Sequence, residues 1–205
     1  MKILLAGPPA CGKGTVGERL SDQFKIPSIS MGQTLRDLPE THPRYLESKE
    51  IMESGGLAPD DLVADLMRKR LEREDCKNGY ILDGYGRSLG QIELFEPPLD
   101  VVVLLDIPVE ETLRRITGRR TCDTDGKIYN IYTIPKEELA KCEGNLVQRD
   151  DDTEEAVLTR IEKYKKETLP VLDYFKTKGM VKEVSGMGTV SEEYAAVLSV
   201  LEPFM

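Results

Sequence analysis

A phosphate-binding loop is the first feature of this chain that could do chemistry. Residues 7–15 read Gly-Pro-Pro-Ala-Cys-Gly-Lys-Gly-Thr and follow the apolar run 3–6. Between a strand and a helix, such glycines let backbone N–H groups and the positive helix end face one anion, while Lys13 adds a mobile charge. Gly14 stands where Ser or Thr usually follows the lysine, and Thr15 comes next. The alternative is an ordinary glycine-rich turn with a solvated Lys13. The pattern indicates a protein that handles a nucleotide or similar phosphate compound.

A second candidate is Asp83, the last residue of the apolar segment 80–83. If that segment is a strand, its carboxylate lies at the carboxyl edge of the sheet, beside the loop. This position suits an aspartate that holds magnesium directly or through water. The alternative is an aspartate that caps a helix or a turn.

Several arginines could supply the positive charge that phosphoryl transfer requires, because the transferred group spreads negative charge over its equatorial oxygens. They follow the predicted strand 80–83 or lie in and beside two unusual segments, 30–59 and 119–150. They are Arg36, Arg87, Arg115, Arg119, Arg120, Arg149 and Arg160.

The elements that must position these groups alternate between apolar runs and helical patterns, which predicts a parallel sheet wrapped by helices. The predicted strands are 2–6, 27–30, 80–83, 101–106 and 181–184. The predicted helices are 13–24, 32–38, 43–54, 60–74, 88–95, 109–118, 153–177 and 189–201. Capping-box spacing marks two helix starts, at Asp152 with Glu155 and at Thr189 with Glu192. Pro170 predicts a kink in the long helix or a break between two.

Two segments do not fit this alternation. Residues 30–59 are mostly helical, whereas 119–150 are polar and turn-rich, with the signature of short hairpins around Asp125-Gly126. Both are candidates for mobile flaps over the loop. We therefore expect one core built from 1–29, 60–118 and 151–205, with 30–59 and 119–150 inserted.

Composition narrows the class of protein. The chain has 205 residues, 40% of them hydrophobic, and a net charge of −9. That charge argues against nonspecific nucleic-acid binding and against an anionic membrane surface. No stretch has transmembrane length, and the first residues do not resemble a signal peptide. Four widely spaced cysteines, at 11, 76, 122 and 142, fit a reducing compartment better than a disulfide framework. We expect a cytoplasmic monomer.

Together the motifs resemble adenylate kinases of the long-lid type. Gly7–Thr15 resembles the loop G-x-P-x-x-G-K-G-T, and four further elements follow in the same order over nearly the whole chain. They are 29–36 (ISMGQTLR), 82–87 (LDGYGR) with Gln91, 115–120 (RITGRR) and 148–152 (QRDDD). The resemblance implies a three-layer fold like that of P-loop NTPases, with a five-stranded parallel sheet, an NMP-binding segment at 30–59 and a lid at 119–150.

The resemblance also assigns roles. The implied ATP site consists of Pro9, Ala10, Cys11, Gly12, Lys13, Gly14, Thr15, Arg119, Ile128, Tyr129 and Gly188. The implied AMP site consists of Met31, Arg36, Gly56, Leu57, Ala58, Gly84, Tyr85, Gly86, Arg87, Gln91, Arg149 and Arg160. The implied catalytic set is Lys13, Asp83, Arg87, Arg119, Arg149 and Arg160, with magnesium held near Asp83. The activity implied is ATP + AMP giving two ADP.

Some residues depart from the family's pattern. Met31 replaces a threonine beside the AMP base, Gln33 an aspartate, Gly86 the proline of "GFPR", and Ala10 a loop glycine. These changes bear on base specificity, so an acceptor other than AMP stays open, although Gln91 favours adenine. Cys11 is interpreted as a small residue chosen for fit, with an activated thiolate as the alternative.

The lid raises the question of zinc. Cys122, Asp125 and Cys142 have spacing like that of the zinc ligands in some long-lid relatives, but Leu139 stands where a fourth ligand is needed. Glu138 or Glu143 could complete the set. We expect instead a lid held by hydrogen bonds and apolar contacts with two free cysteines, because three ligands are too few for a structural zinc site.

Two other functions compete with the kinase. One is a P-loop hydrolase or small-molecule kinase, but the chain has no "NKxD" element for guanine, and shikimate-type kinases lack both the Gln91 motif and so long a lid. The other is a nonenzymatic nucleotide sensor, which would not need so many arginines and Asp83.

Overall fold

The protein consists of a parallel sheet covered by helices and a smaller antiparallel sheet. The computed structural model describes residues 1–132, 134, 136–149 and 152–205. The strands are β1 (Lys2–Ala6), β2 (Ser28–Ser30), β3 (Tyr80–Asp83), β4 (Val101–Asp106), β5 (Arg119–Cys122), β6 (Ile128–Asn130), β7 (Leu146–Val147) and β8 (Val181–Ser185). The helices are α1 (Lys13–Phe24), α2 (Met31–Arg36), α3 (Tyr45–Glu53), α4 (Asp60–Leu71), α5 (Leu89–Leu94), α6 (Val109–Gly118), α7 (Lys136–Leu139), α8 (Glu154–Lys163), α9 (Leu169–Thr177) and α10 (Val190–Leu201).

The main sheet has the strand order β2-β3-β1-β4-β8, and each neighbouring pair is parallel. In the register, Ile3 lies opposite both Ile81 and Val101. The predicted α/β fold with a five-stranded parallel sheet is therefore confirmed. The crossover connections place the ends of β1 and β3 side by side, so the loop at 7–15 and Asp83 lie at the same edge.

Helices cover both faces of this sheet because successive strand residues point to opposite sides. On one face, Leu4 packs in a core that also contains Met67 of α4 and Phe175 of α9. On the other, Ile3 and Leu5 pack with residues of α1 and α10. Burial on both sides explains why 101–105 is continuously apolar. Among the described residues, no helix is both long enough and apolar enough to cross a membrane.

The segment 119–150 contains the small antiparallel sheet, ordered β6-β5-β7, as the hairpin signature predicted. Strand β5 follows α6 directly and pairs Arg119 with Asn130 and Cys122 with Leu146. Asp150 and Asp151, which belong to the predicted lid border, lie outside the described residues.

Two local predictions are corrected or refined. Thr153, not Asp152, caps α8, since its side chain accepts a hydrogen bond from the Ala156 amide. The capping box of Thr189 and Glu192 is confirmed. The long helix predicted at 153–177 is continuous but widens into a π-helical turn at 164–168. Pro170 accounts for this turn, because proline cannot donate to the carbonyl four residues earlier and its ring crowds that carbonyl.

Candidate functional site

A cleft of about 1790 Å³ lies at the carboxyl edge of the parallel sheet, between the core, the segment 30–59 and the antiparallel sheet. Every residue predicted for the two nucleotide sites and for catalysis lines it, whereas Cys122, Asp125 and Cys142 do not. Pockets for a single small ligand usually measure about 300–1,000 Å³. This cleft therefore has room for more than one nucleotide.

The phosphate loop connects β1 to α1 with the geometry of an anion site. Gly12 has φ +98° at the start of α1, and no side chain caps the helix there, so its first N–H groups remain free to face a ligand. Lys13 Nζ donates to the carbonyls of Gly7 (2.9 Å) and Pro8 (2.8 Å). It also contacts Cys11 Sγ at 3.3 Å. The positive charge of Lys13 therefore lies at the loop itself, close enough to contact a phosphate bound there.

Two residues of the loop raised questions in the sequence analysis: Ala10, which replaces a glycine, and Cys11, whose thiol could be activated. Ala10 has φ +58°, a conformation that L residues adopt at a cost, and this explains why a glycine is usual there. The thiol of Cys11 is completely buried. Burial raises the pKa of this thiol although Lys13 opposes it, so the thiol form is favoured over an activated thiolate.

Asp83 ends β3 opposite Leu5 and Ser30 of the neighbouring strands. Its Oδ2 lies 3.9 Å from the position that a Cβ would take at Gly14. Asp83 and the exposed Thr15 both line the cleft and offer oxygen atoms, the donors that magnesium prefers. The donor set on this side of the loop therefore suits Mg²⁺.

The turn after β3 forms the opposite end of the cleft. Gly86 has φ +66°, which proline cannot adopt, and so the replacement of the family's proline changes this turn. Gln91 is buried, and its Oε1 accepts a hydrogen bond from the Arg87 amide at 2.9 Å. Ser88 caps α5 and donates to Asp60 of α4 at 2.6 Å. These bonds fix the predicted base-reading amide relative to α4.

Positive charge converges between the two ends. Desolvation within the cleft lowers the pKa of Arg87, the charges of Arg160 and Arg36 lower it further, and Asp83 raises it. Arg36 also donates to Gln33 Oε1. The charges of Arg36 and Arg160 are therefore near enough to Arg87 to act on it, and all three arginines line the same cleft.

Asp152 is a site residue that the sequence analysis missed. Its side chain is fully buried and accepts from Arg119 Nε at 2.8 Å, with a second, closer contact to the Arg119 terminal nitrogen. The same carboxylate lies 3.5 Å from Arg160 NH1. One buried carboxylate thus orients two predicted catalytic arginines. The run of acidic residues at 150–152 was the available signal, but it suggested a helix cap.

Arg149 and Arg115 lie on two further walls of the cleft. Arg149 Nε contacts Thr121 Oγ1 of β5 at 3.3 Å. Arg115 donates to Glu111 Oε1 and to the carbonyl of Gly186, both at 2.7 Å. The sequence singled out Arg115 as a flap-edge arginine but assigned it no ligand, and the structure places it beside the loop that holds Gly188.

The cysteines of the antiparallel sheet are not free, which corrects the prediction. Cys122 and Cys142 form a disulfide, whereas Cys11 and Cys76 are free and buried. Asp125 instead accepts from the Lys127 amide at 3.0 Å in the β5–β6 turn. Within the described part of the chain, no group of three or more His, Cys, Asp or Glu side chains is arranged to hold a metal.

Comparison with known proteins agrees with this geometry. A family model described as adenylate kinase matches residues 5–180. The adenylate kinase of Thermodesulfovibrio yellowstonii is 39% identical over 213 residues, which cover 98% of this chain and 99% of the relative. Adenylate kinases of Clostridium botulinum and Clostridium perfringens are 37% identical over 212 residues, with 98% of each chain covered. The similarity extends over nearly the whole chain.

Proposed function

Because the chain belongs to the adenylate kinase family, we propose that it transfers a phosphoryl group reversibly from ATP to AMP. The reaction gives two ADP and keeps the adenine nucleotides in balance. The observation that carries this proposal is the shared cleft, which is lined by all the residues assigned to donor, acceptor and catalysis. Its volume suits two nucleotides placed end to end.

The donor ATP binds at the phosphate loop. Residues 10–15, which follow Pro9, surround its phosphates with backbone N–H groups, and Lys13 leaves the loop carbonyls to contact the transferred group. Arg119 covers the phosphates from the lid, where Asp152 orients it. Ile128, Tyr129 and Gly188 line the same end and border the base or ribose.

The acceptor AMP binds between the turn at 84–87 and the segment 30–59. Gln91, whose Oε1 is occupied by the Arg87 amide, offers its NH₂ group to the adenine edge. Arg36 and Arg87 bind the AMP phosphate, and Met31 with residues 56–58 forms the wall around the base. The buried Met31 makes that wall apolar where the family usually has a hydroxyl.

Transfer between these ligands needs no general base, because the acceptor phosphate is largely dianionic at pH 7. The chain's task is to align two polyanions and neutralise them. Arg149 and Arg160 bridge the two sets of phosphates, and Arg160 is held by the Asp152 carboxylate. Asp83 and Thr15 would hold Mg²⁺, which when bound adds neutralising charge at the phosphate oxygens.

In this proposal the chain divides into a core, an NMP-binding segment and a lid, and the last two keep water away from the reaction. We propose that 119–150 closes over ATP and 30–59 over AMP, because water would otherwise accept the phosphoryl group. The Cys122–Cys142 disulfide stabilises the lid in place of zinc, since a cystine has no thiolate to offer a metal.

We also propose that the protein is a monomer in the cytoplasm. No described helix could cross a membrane, and the inserted segments face the cleft. Cytosolic thiols are normally kept reduced, so the lid cystine would form there only under oxidising conditions. Light scattering during gel filtration tests whether the protein is a monomer. Cell fractionation with trapping of free thiols tests whether it lies in the cytoplasm.

A coupled assay for ADP decides the reaction and the acceptor. Purified protein is given Mg-ATP with AMP, UMP, CMP or GMP in turn. Of the four monophosphates, we expect only AMP to give rapid ADP formation with Mg-ATP. Lys13→Ala should reduce kcat by at least about 10²-fold, as loss of one positioned transition-state donor does. Lys69→Ala, which removes an exposed lysine on α4, is the control. Preference for another monophosphate would refute the AMP assignment, and absence of transfer to all four would refute the kinase.

A further inference from the structure

The guanidinium of Arg115 is held from three directions at the donor end of the cleft. Glu111, one turn earlier on α6, accepts from Nε, and the Gly186 carbonyl accepts from NH2, both at 2.7 Å. Glu193 of α10 lies 3.6 Å from the same NH2. All three partners approach through N–H groups, which lie in the guanidinium plane. The contacts therefore fix the orientation of that plane at the wall of the cleft.

Glu193 is an unusual residue for its place in the fold. It is only 5% exposed and lies on the first turn of α10, facing the phosphate loop. Its Oε2 is 3.0 Å from the position that a Cβ would occupy at Gly12. A buried carboxylate lowers stability unless it is well paired, and a well-packed apolar side chain would serve the fold as well or better. Packing alone does not account for this glutamate.

Three groups define its electrostatic surroundings. Burial raises the pKa of Glu193 to about 7, Arg115 lowers it, and Glu111 raises it, since two carboxylates share one guanidinium. Glu192, its neighbour on α10, accepts from Thr189 in the capping box. Lys13 donates to carbonyls of its own loop. Arg115 is thus the direct cationic partner that the described contacts give Glu193.

We propose that Glu193 is a positioning residue of the donor site, which fixes Arg115 beside the loop at 186–189 so that ATP is bound in one orientation. The proposal rests on the proposed function, which places ATP at this end of the cleft. Glu193 acts through Arg115 and does not itself bind the phosphates. Its loss should consequently raise the KM for ATP while the KM for AMP and kcat stay close to those of the wild type.

The first test compares Glu193→Ala and Glu193→Gln with Glu192→Gln. The matched control removes one negative charge from the adjacent residue and keeps a side chain that can complete a capping box. We expect Glu193→Ala to raise the KM for ATP about tenfold, because the Arg115 guanidinium loses one of its two carboxylate partners. Glu193→Gln should raise it less, because the amide oxygen keeps a partial negative charge beside Arg115, and this variant provides the measurement if the alanine variant does not fold. A lower KM for ATP in either Glu193 variant would show electrostatic repulsion of ATP and overturn the proposal.

A double-mutant cycle tests whether Glu193 acts through Arg115. Arg115→Ala should raise the KM for ATP at least as much as Glu193→Ala does. In the Arg115→Ala background, adding Glu193→Ala should then have no further effect. Additive effects of the two substitutions would contradict a positioning role. A wild-type protein that forms no ADP would refute the proposed function itself, and is thereby distinguished from failure of this inference.

The pH dependence supplies a readout that a purely structural role would not change. The ionised carboxylate that holds Arg115 predominates above the pKa of about 7 and is lost as the pH falls below it. The ratio of KM for ATP in Glu193→Gln to that in the wild type should therefore be largest at pH 8 and approach one at pH 6. A ratio that does not change with pH would overturn the proposal.

Discussion

Ala10 adopts a strained backbone conformation in the phosphate loop. Its φ of +58° is left-handed, and an L residue pays about 1–2 kcal/mol for that conformation. Glycine would avoid this cost but would lose more entropy on folding, about 0.5–1 kcal/mol. The strain is the larger of the two, so the family's usual glycine is the more stable choice at this site.

We therefore expect Ala10→Gly to stabilise the protein by about 0.5–1 kcal/mol, the difference between these two costs. Ala196→Gly is the matched control, because Ala196 is an exposed residue in the regular helix α10. There the same substitution should destabilise by about 0.5–1 kcal/mol. Urea unfolding of both variants measures the change, and equal destabilisation by the two would contradict the assignment of strain.

At this scale the sequence predicts residues whose role follows from local spacing, and it misses those whose partners are distant. Lys13 and Asp83 could be placed because each directly follows or ends a predicted strand. Asp152 could not, because its partner Arg119 is 33 residues away. The contact of Glu193 with Arg115 could not be predicted for the same reason, since nothing along α10 indicates that Arg115 lies beside it.

At the scale of elements, the Asp152 carboxylate connects the start of β5 to α8. It is fully buried and contacts Arg119 and Arg160, the first on the lid border and the second within α8. Removing its charge leaves two arginines without their shared partner, and breaking a buried ion pair in this way costs about 3–5 kcal/mol.

Asp152→Asn should therefore reduce stability by up to about 3–5 kcal/mol and lower kcat more than it changes either KM. The effect on kcat follows because Arg119 and Arg160 would lose their alignment with the transferred group. Thermal unfolding and steady-state kinetics measure the two effects. Asp65→Asn, on an exposed pair with Lys69, is the control and should leave both near the wild-type values. An unchanged kcat in Asp152→Asn would contradict the alignment role.

The disulfide in the small sheet is a second link between elements. It joins Cys122 of β5 to Cys142, 20 residues later, before β7. Closing a loop of this length stabilises by about 3 kcal/mol through the entropy of the unfolded chain.

Reduction with dithiothreitol should loosen this sheet while the parallel core stays folded. We expect faster limited proteolysis within 123–145 after reduction, and the same rate in Cys142→Ser without reductant. Cys76→Ser, which removes a free cysteine of the core, should not change the rate. Equal cleavage of oxidised and reduced protein would show that the bond does not hold the lid.

Elements of the core were largely predictable, and in 119–150 the hairpin was predictable but the disulfide was not. The strands β1, β3 and β4 are short apolar runs whose burial on both faces leaves a clear signal. The pairing of Cys122 with Cys142 depends on how β5 and β7 fold back on each other, and from the sequence we expected two free cysteines, with zinc as the alternative. The π-helical turn at 164–168 likewise requires knowing how the helix responds to Pro170.

At the scale of the whole molecule, the cleft carries positive charge although the net charge of the chain is negative. The net charge is −9, yet Arg36 and Arg160 place positive charge near Arg87 within a single cleft. Repulsion of Arg87 by these two arginines favours an open cleft until anions enter. Nucleotide binding should therefore bring the two inserted segments toward the core.

Small-angle X-ray scattering checks this expectation. A mimic with two adenosines joined by a chain of phosphates should lower the radius of gyration toward the ~17 Å of a compact chain of this length. ATP or AMP alone should produce a smaller change, because each neutralises only one end of the cleft. A radius that is the same with and without the mimic would refute closure.

The contact between Arg119 and Asp152 has a consequence for how such proteins diversify. It brings Arg119, the first residue of the lid, next to Asp152, which lies in the core just after the lid ends, so the intervening chain leaves the core and returns to it at one point. Insertions with adjacent ends disturb a host fold least. A lid of different length, or one held by a metal ion rather than by a disulfide, could be inserted between the same two residues without changing the strand order of the sheet. Because its two ends are adjacent, the lid can be exchanged while the core that carries the other catalytic residues stays the same.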